Sequence, residues 1–486
     1  MIIDWSRARL WLGWTVWLFA SGLVLAAADR AARPNIVLIV ADDLGWADLG
    51  CYGADLHETP RLDQFAREGV KFSHAYAMSV CSPSRAMLLT GQHAARLGMT
   101  IWREGSLERN TKRRLLDAES VPDLSHTRKT LATHLKAAGY QTASVGKWHL
   151  GDAEHSPETH GFDVNIGGTH WGAPQTHWWP YSGTGRFGQE HRYVPHLEFG
   201  RNGEYLTDRL TQEALRVIDH ADGRPFFLYL AHHAPHTPIE AKPEDVLHFQ
   251  GKVQREMRHR NPEYAAMVRS LDENIGRVLD HLHARRLTEN TIVIVVSDNG
   301  GQMNVDPPES PGGPETRNAP LRSGKGSLYE GGIRVPLLVR WPGVTPRGAQ
   351  CTEPVQLADL FATLLAAGAP DTFEREKAAL DGVNLAPILR KPRGWLDREY
   401  LFFHYPHYYA TTTPVSAVRM GKWKLLHYYE DDRFELYDLA KDPGETTNLV
   451  DDEWLLHWSL RYALDEWRQE VGARAPRPNP DYKPGK

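Results

Sequence analysis

Thr291-Ile292-Val293-Ile294-Val295-Val296, running into Ser297-Asp298-Asn299-Gly300-Gly301, is the most β-prone run in a chain of 486 residues. Its unbroken β-branched composition leaves no polar face, the pattern of a strand covered on both sides. Asn299-Gly300 would suit a hairpin, because both residues tolerate the positive φ of a tight turn. The stretch that follows, Val305 to Asn318, is instead rich in proline and glycine and contains no immediate return strand. The run is therefore expected at the centre of a parallel sheet, with polar residues at its carboxyl end.

Three other short apolar runs end in the same way. Pro34 to Val40 stops at Asp42 and Asp43, which read either as a solvated turn or as part of a hard-cation site. Gln141 to Val145 runs into Gly146-Lys147-Trp148-His149. Phe226 to Leu230 ends in His232-His233-Ala234-Pro235-His236, where the prolines and the lack of a helical His-x3-His pair argue against zinc. Between these runs lie helical patterns: one opened by Thr59-Pro60, one over Lys129 to Ala138 with Leu131 and Leu135 inward, and one along Tyr264, Val268, Leu271, Ile275, Val278 and Leu282. Helices alternating with apolar strands indicate an α/β fold with a mostly parallel sheet, whose ligands bind at the carboxyl ends of the strands. Asp42, Asp43, Lys147, His149, His236, Asp298 and Asn299 are thus expected to share one pocket.

Val80-Cys81-Ser82-Pro83-Ser84-Arg85-Ala86-Met87-Leu88-Leu89-Thr90-Gly91 reads as a short helix starting near Cys81 and ending at Gly91. A four-residue step places Arg85 on the face of Cys81, so a guanidinium and free backbone N–H groups gather at the positive end. Cys81-x-Pro83-x-Arg85 followed by Leu89-Thr90-Gly91 resembles the signature of the type I sulfatases, of the alkaline-phosphatase-like superfamily. The resemblance runs from about Pro34 to Asn448. It implies that a formylglycine-generating enzyme oxidises Cys81 to Cα-formylglycine, whose hydrate is the nucleophile. It further implies that Asp42, Asp43, Asp298 and Asn299, with the modified Cys81, hold a divalent cation, usually Ca²⁺, with Mg²⁺ as the other candidate. Arg85, Lys147, His149, His236 and Lys325, the last within Pro320 to Arg334, match the family's remaining catalytic positions. The implied reaction is hydrolysis of a sulfate monoester, here expected on a carbohydrate. Two other readings stay open: a phosphodiester or phosphonate monoester hydrolase of the same superfamily, and a sulfated-glycan binding protein in which Cys81 stays a thiol.

Composition sets the outer limits. The length exceeds one ordinary core, so two domains are expected: a catalytic α/β domain over 34–370 and a smaller α+β domain over 371–486. The smaller one should carry a short antiparallel sheet, with strands near Ala417–Met420, Trp423–Tyr428 and Phe434–Asp438, and a helix near Glu453–Glu470. A net charge of −5 gives no case for nucleic acid. Besides Cys81 there are only Cys51 and Cys351, expected as free thiols, with a bridge between them left open. Arg7 and Arg9 before the apolar run Leu10 to Leu25, then Ala26-Ala27-Ala28, read as a signal peptide over 1–28. Export to the periplasm or outside the cell, without a membrane span in the mature chain, is the corresponding expectation. Two aromatic clusters, His170 to Trp179 and Phe402 to Tyr409, lie in loop-like context. Packing accounts for most of their rings, and Trp178 and His407 are the candidates for stacking on a sugar.

Overall fold

Thr291–Ser297 lies in the middle of the large sheet, buried along its whole length. The computed structural model describes residues 33–108, 112–303 and 316–483, so the expected signal peptide and most of the Val305–Asn318 loop lie outside the described residues. Nine strands form this sheet: β1 (Asn35–Ala41), β2 (Val70–Tyr76), β3 (Gln141–Gly146), β4 (Val164–Ile166), β5 (Phe226–Ala231), β6 (Thr291–Ser297), β7 (Arg334–Arg340), β8 (Ala349–Cys351) and β9 (Val355–Gln356). The order is β8-β2-β7-β6-β1-β5-β3-β4, with β9 also on β2. Every pair is parallel except those made by β7, which runs against both β2 and β6. The return strand that Asn299-Gly300 hinted at does exist, but residues 298–333 separate it from β6, and that excursion carries polar residues back to the same edge.

Alternate residues of β1 face different layers. Ile36, Leu38 and Val40 join one apolar cluster, and Val37, Ile39 and Ala41 join another on the opposite face. Each of the valine, leucine and isoleucine side chains contributes roughly 1.5–3 kcal/mol by leaving water. The second cluster is covered by helices α1 (Pro60–Glu68), α4 (Leu206–Asp219) and α5 (Pro262–Ala284). The first is covered by α2 (Cys81–Thr90), α3 (Leu131–Ala137) and α6 (Leu357–Gly368). The seam Tyr264 to Leu282 is buried as its spacing predicted.

The C-terminal sheet has four antiparallel strands: β10 (Tyr400–Tyr405), β11 (Val415–Met420), β12 (Trp423–Tyr428) and β13 (Arg433–Asp438). Helix α7 (Trp454–Glu470) packs on it through Leu460, Leu464 and Trp467. Strand β10 corrects the loop-like reading of Phe402 to Tyr405: Phe403 is buried against Tyr76 at 5.5 Å, and Phe402 stacks on Trp467 at 4.7 Å. Phe403, Tyr405, Leu426 and Tyr437 belong to the same apolar cluster as β1 and α6. Cys51, Cys81 and Cys351 are all free thiols. Among the described residues no helix is long and apolar enough to cross a membrane.

Candidate active site

Strand register sets the site. Ala41 of β1 pairs with Ser297 of β6, so Asp42 and Asp298 leave the sheet side by side. Gly146 of β3 pairs with Ala231 of β5, and Lys147 and the His232–His236 turn emerge together next to them. Strand β2 leads from the same edge into α2, and the reversed β7 begins there, which brings Lys325 in from the segment before it.

Helix α2 is buried from Cys81 to Thr90. It stops at Gly91, whose φ of 68° suits glycine and whose N–H bonds Met87 O. Cys81 Sγ lies 3.5 Å from Asp42 Oδ1 and 3.9 Å from Asp43 Oδ1. One turn on, Arg85 donates through Nε to Asp298 Oδ2 at 2.9 Å and approaches Asp42 Oδ1 at 3.7 Å, while Tyr229 Oη and Lys147 O hold its Nη1. The shared face expected for Cys81 and Arg85 is therefore observed, with Asp42 between them.

The other positions close the ring. Lys147 Nζ sits 2.6 Å from Asp42 Oδ2, and Lys325 Nζ donates to Asp43 Oδ2 at 2.8 Å. Asn299 Nδ2 donates to Asp43 Oδ1 at 2.7 Å. His236 Nε2 lies 3.5 Å from Asp43 Oδ2, while its Nδ1 donates to Thr237 O at 2.7 Å. His149 has a φ of 59° and stands against Gly172, where any Cβ would come within 2.5 Å of its ring. Neither ring nitrogen of His149 makes a hydrogen bond among the described residues.

Charge in this dry pocket shifts several groups. Burial alone would raise Asp43, but Lys325, His236 and Lys147 outweigh it and hold the carboxyl well below the usual carboxylate range. Asp298 moves the other way, pushed up by burial and by the facing Asp42. Burial lowers His149 and His236 to about 3, so both imidazoles are neutral near pH 7. Burial raises the Cys81 thiol far above its ordinary value, which keeps the thiolate from forming.

The donor set suits a hard divalent cation. Three carboxylates and one amide converge with almost no solvent exposure, and Asn299 Oδ1 makes no hydrogen bond among the described residues. Oxygen-only side chains of this kind favour calcium or magnesium over zinc. Ligand atoms of Asp42, Asp43, Cys81 and His236 all lie within 4.8 Å of one another.

Above this floor opens a cavity of about 260 Å³, lined in part by Trp102, Glu104, Phe187, Arg192, Gln302 and Tyr409. Of these only Tyr409, in the second aromatic cluster, falls in a stretch singled out in the sequence. Glu104 lies on a five-residue helix and Arg192 at the end of a short, mostly exposed hairpin, neither with any periodic signal. Trp178 and His407 do not line the cavity: Trp178 packs on Tyr205 at 4.9 Å, and His407 is buried with Nε2 2.7 Å from Thr100 Oγ1. The second aromatic cluster reaches the cavity through Tyr409 instead.

Residues 34–368 match the family model described as Sulfatase, and residues 324–469 match that described as N-sulphoglucosamine sulphohydrolase, C-terminal. A sulfatase of Formosa agariphila is 32% identical over 87% of this chain and 85% of its own length. The N-acetylgalactosamine-6-sulfatase of Canis lupus familiaris is 36% identical over 90% of this chain and 80% of its own. Among solved structures, Ps i-CgsB in complex with k-i-k-neocarrahexaose has 29% identity and a TM-score of 0.75, covering 93% of this chain and 94% of that one. With its parallel sheet, buried cysteine helix and matched length, the chain belongs to the sulfatase family and is a sulfuric ester hydrolase.

Proposed function

We propose that this sulfatase hydrolyses a sulfate monoester of a carbohydrate, using Cys81 in its formylglycine form beside a calcium or magnesium ion. Asp42, Asp43, Asp298 and Asn299 would hold the ion, with residue 81 against it. The observation that carries this reading is the close approach of Cys81 to Asp42 and Asp43, with Arg85, Lys147 and Lys325 paired to the same carboxylates. A buried cluster of carboxylates needs positive charge, and a sulfate ester needs it as well. When present, the formylglycine hydrate supplies an oxygen nucleophile and the ion neutralises charge on the sulfate.

The chain's own groups divide the remaining work. Arg85, clamped by Asp298 and Tyr229, holds a fixed positive charge beneath the sulfate. Burial opposes the charge on Lys325, but Asp43 outweighs it and keeps the ammonium protonated, so Lys325 can bind a sulfate oxygen or donate a proton to the leaving alcohol. His149, neutral and with ring nitrogens free, is fitted to accept a proton from the hydrated residue 81. His236, with Nδ1 donating to Thr237 O, directs Nε2 toward Asp43 and the cavity, where that nitrogen can take up a proton and, once protonated, contact the sulfate. The carbohydrate assignment draws on the relatives, whose names specify N-acetylgalactosamine 6-sulfate and a neocarrahexaose.

The test is a comparison of hydrolysis of 4-nitrophenyl sulfate, a 4-nitrophenyl phosphodiester and monosulfated N-acetylgalactosamine, galactose and glucosamine. Faster turnover of at least one sugar sulfate than of the phosphodiester supports the reading, and preferred turnover of the phosphodiester would overturn it. Exhaustive chelation should abolish activity and lower the melting temperature, with Ca²⁺ or Mg²⁺ restoring both. Asp298→Ala should lose the metal and the activity together.

A further inference from the structure

Among the residues lining the cavity, Glu104, Arg192, His149 and Gln302 carry buried polar atoms without a hydrogen-bond partner among the described residues. On Glu104 that atom is Oε2, and on Arg192 it is Nε. The two side chains face each other across 3.8 Å, from Glu104 Oε1 to Arg192 Nη2, too far for a hydrogen bond. Glu104 Oε2 also stands 3.7 Å from His149 Nε2, which ties this pair to the floor where residue 81 sits. Phe187 supports the Arg192 guanidinium from 4.4 Å, and Trp102 and Tyr409 form an edge-to-face pair at 5.9 Å that also lines the cavity.

Buried groups with unmet hydrogen-bonding capacity carry a penalty of about 1–3 kcal/mol each unless a ligand satisfies them. Here an acceptor-only carboxylate and a donor-only guanidinium stand 3.8 Å apart at their nearest atoms, close enough for one oxygen set beside the gap to reach both at hydrogen-bond distance. A hydroxyl oxygen meets both needs, because it donates one hydrogen bond and accepts another. A sulfate or carboxylate oxygen has no proton for Glu104 and would bring a second negative charge against it. Aromatic rings beside paired polar groups also suit a pyranose, whose C–H face is apolar and whose rim is hydroxylated. The volume of about 260 Å³ falls just below the usual range of ligand pockets, which suits one ring.

We propose that Glu104 and Arg192 form a specificity subsite that recognises a free hydroxyl of the sugar carrying the scissile sulfate, and that Glu104 disfavours a second sulfate at that position. The proposal rests on the carbohydrate reading above and adds a requirement on the neighbouring substituent. Both residues are assigned to substrate binding, and the reacting atoms stay with the floor of the pocket.

The test takes whichever monosulfated N-acetylgalactosamine, galactose or glucosamine the wild-type enzyme turns over fastest. It compares three forms of it: the parent, the analogue deoxygenated at the hydroxyl nearest the ester, and the disulfate carrying a second ester there. With wild-type enzyme, kcat/KM should fall at least about 100-fold for the deoxy form and at least as far for the disulfate, because a site built to bond a hydroxyl rejects ligands lacking it. In Glu104→Gln and Arg192→Met the deoxy penalty should shrink below about 10-fold, and Glu104→Gln should narrow the gap to the disulfate. Equal turnover of parent and deoxy forms by the wild type would overturn the proposal, and that arm needs no variant. Variants that lose activity toward 4-nitrophenyl sulfate as much as toward the sugar would overturn it too, because the pair would then act only through His149. Wild-type enzyme that hydrolyses the aryl sulfate but no sugar sulfate also ends the subsite. Failure on every sulfate ester, with phosphodiester turnover retained, would instead remove the function proposed above.

Discussion

Cys81 is the residue on which the chemistry turns, and its surroundings explain why a thiol there would be idle. It is buried at the start of α2, its proton is retained by desolvation, and carboxylates stand at 3.5 and 3.9 Å. An anionic sulfur nucleophile is disfavoured in that setting, whereas an oxygen nucleophile bound to a cation is not. Cys81→Ala should therefore cut kcat by at least about 10³-fold while leaving the melting temperature within a few degrees, as measured by aryl sulfate turnover and differential scanning calorimetry. A neighbouring glycine gives a second expectation. At Gly172 a Cβ would stand 2.5 Å from the His149 ring, so Gly172→Val should displace the imidazole and lower kcat about 10–100-fold with a much smaller effect on stability. The residues of the floor were legible because each follows an apolar strand or belongs to the Cys81 motif, except Lys325, which only the resemblance of Pro320 to Arg334 pointed to. Glu104 and Arg192 were not, because a charged residue on a short helix or an exposed hairpin looks like ordinary surface until the fold folds it over a cavity.

Elements deliver those residues, and the sheet does so through register. The pairing of Ala41 with Ser297 and of Gly146 with Ala231 sets four functional strand ends against one another before any side chain is considered. Unbroken apolar runs made β1, β5 and β6 readable, since only a strand covered on both faces has that composition. Strand β10 was hidden because histidine and tyrosine break the run Tyr400–Tyr405, although Leu401, Phe403 and Tyr405 are buried. Helix α2 owes its position to α6, which packs behind it with Leu364 completely buried. Leu364→Ala should cost about 2–5 kcal/mol by opening a cavity, read as a lower denaturant midpoint. Activity at low denaturant should survive, since Leu364 does not line the cavity.

At the scale of the whole molecule, the two sheets share one apolar cluster, and two histidines are buried beside the C-terminal sheet. His404 bonds Ser416 and Arg474 O, and His407 bonds Thr100; burial lowers both to about 3 from the ordinary 6.5. The unfolded chain takes up these protons below about pH 6.5, while the folded protein refuses them until near pH 3. Their contribution is thus fully present above pH 6.5 and is lost as pH falls toward 3, so the denaturant midpoint should decline across that window. His407→Gln should make the decline shallower. The central claim is tested most directly on the purified protein by mass spectrometry of the tryptic peptide spanning 72–85, together with active-site turnover on the same preparation. The account predicts that residue 81 has exchanged its sulfur for an aldehyde oxygen and that activity rises in proportion to the converted fraction. Full activity from protein whose residue 81 is entirely an unmodified thiol would contradict it.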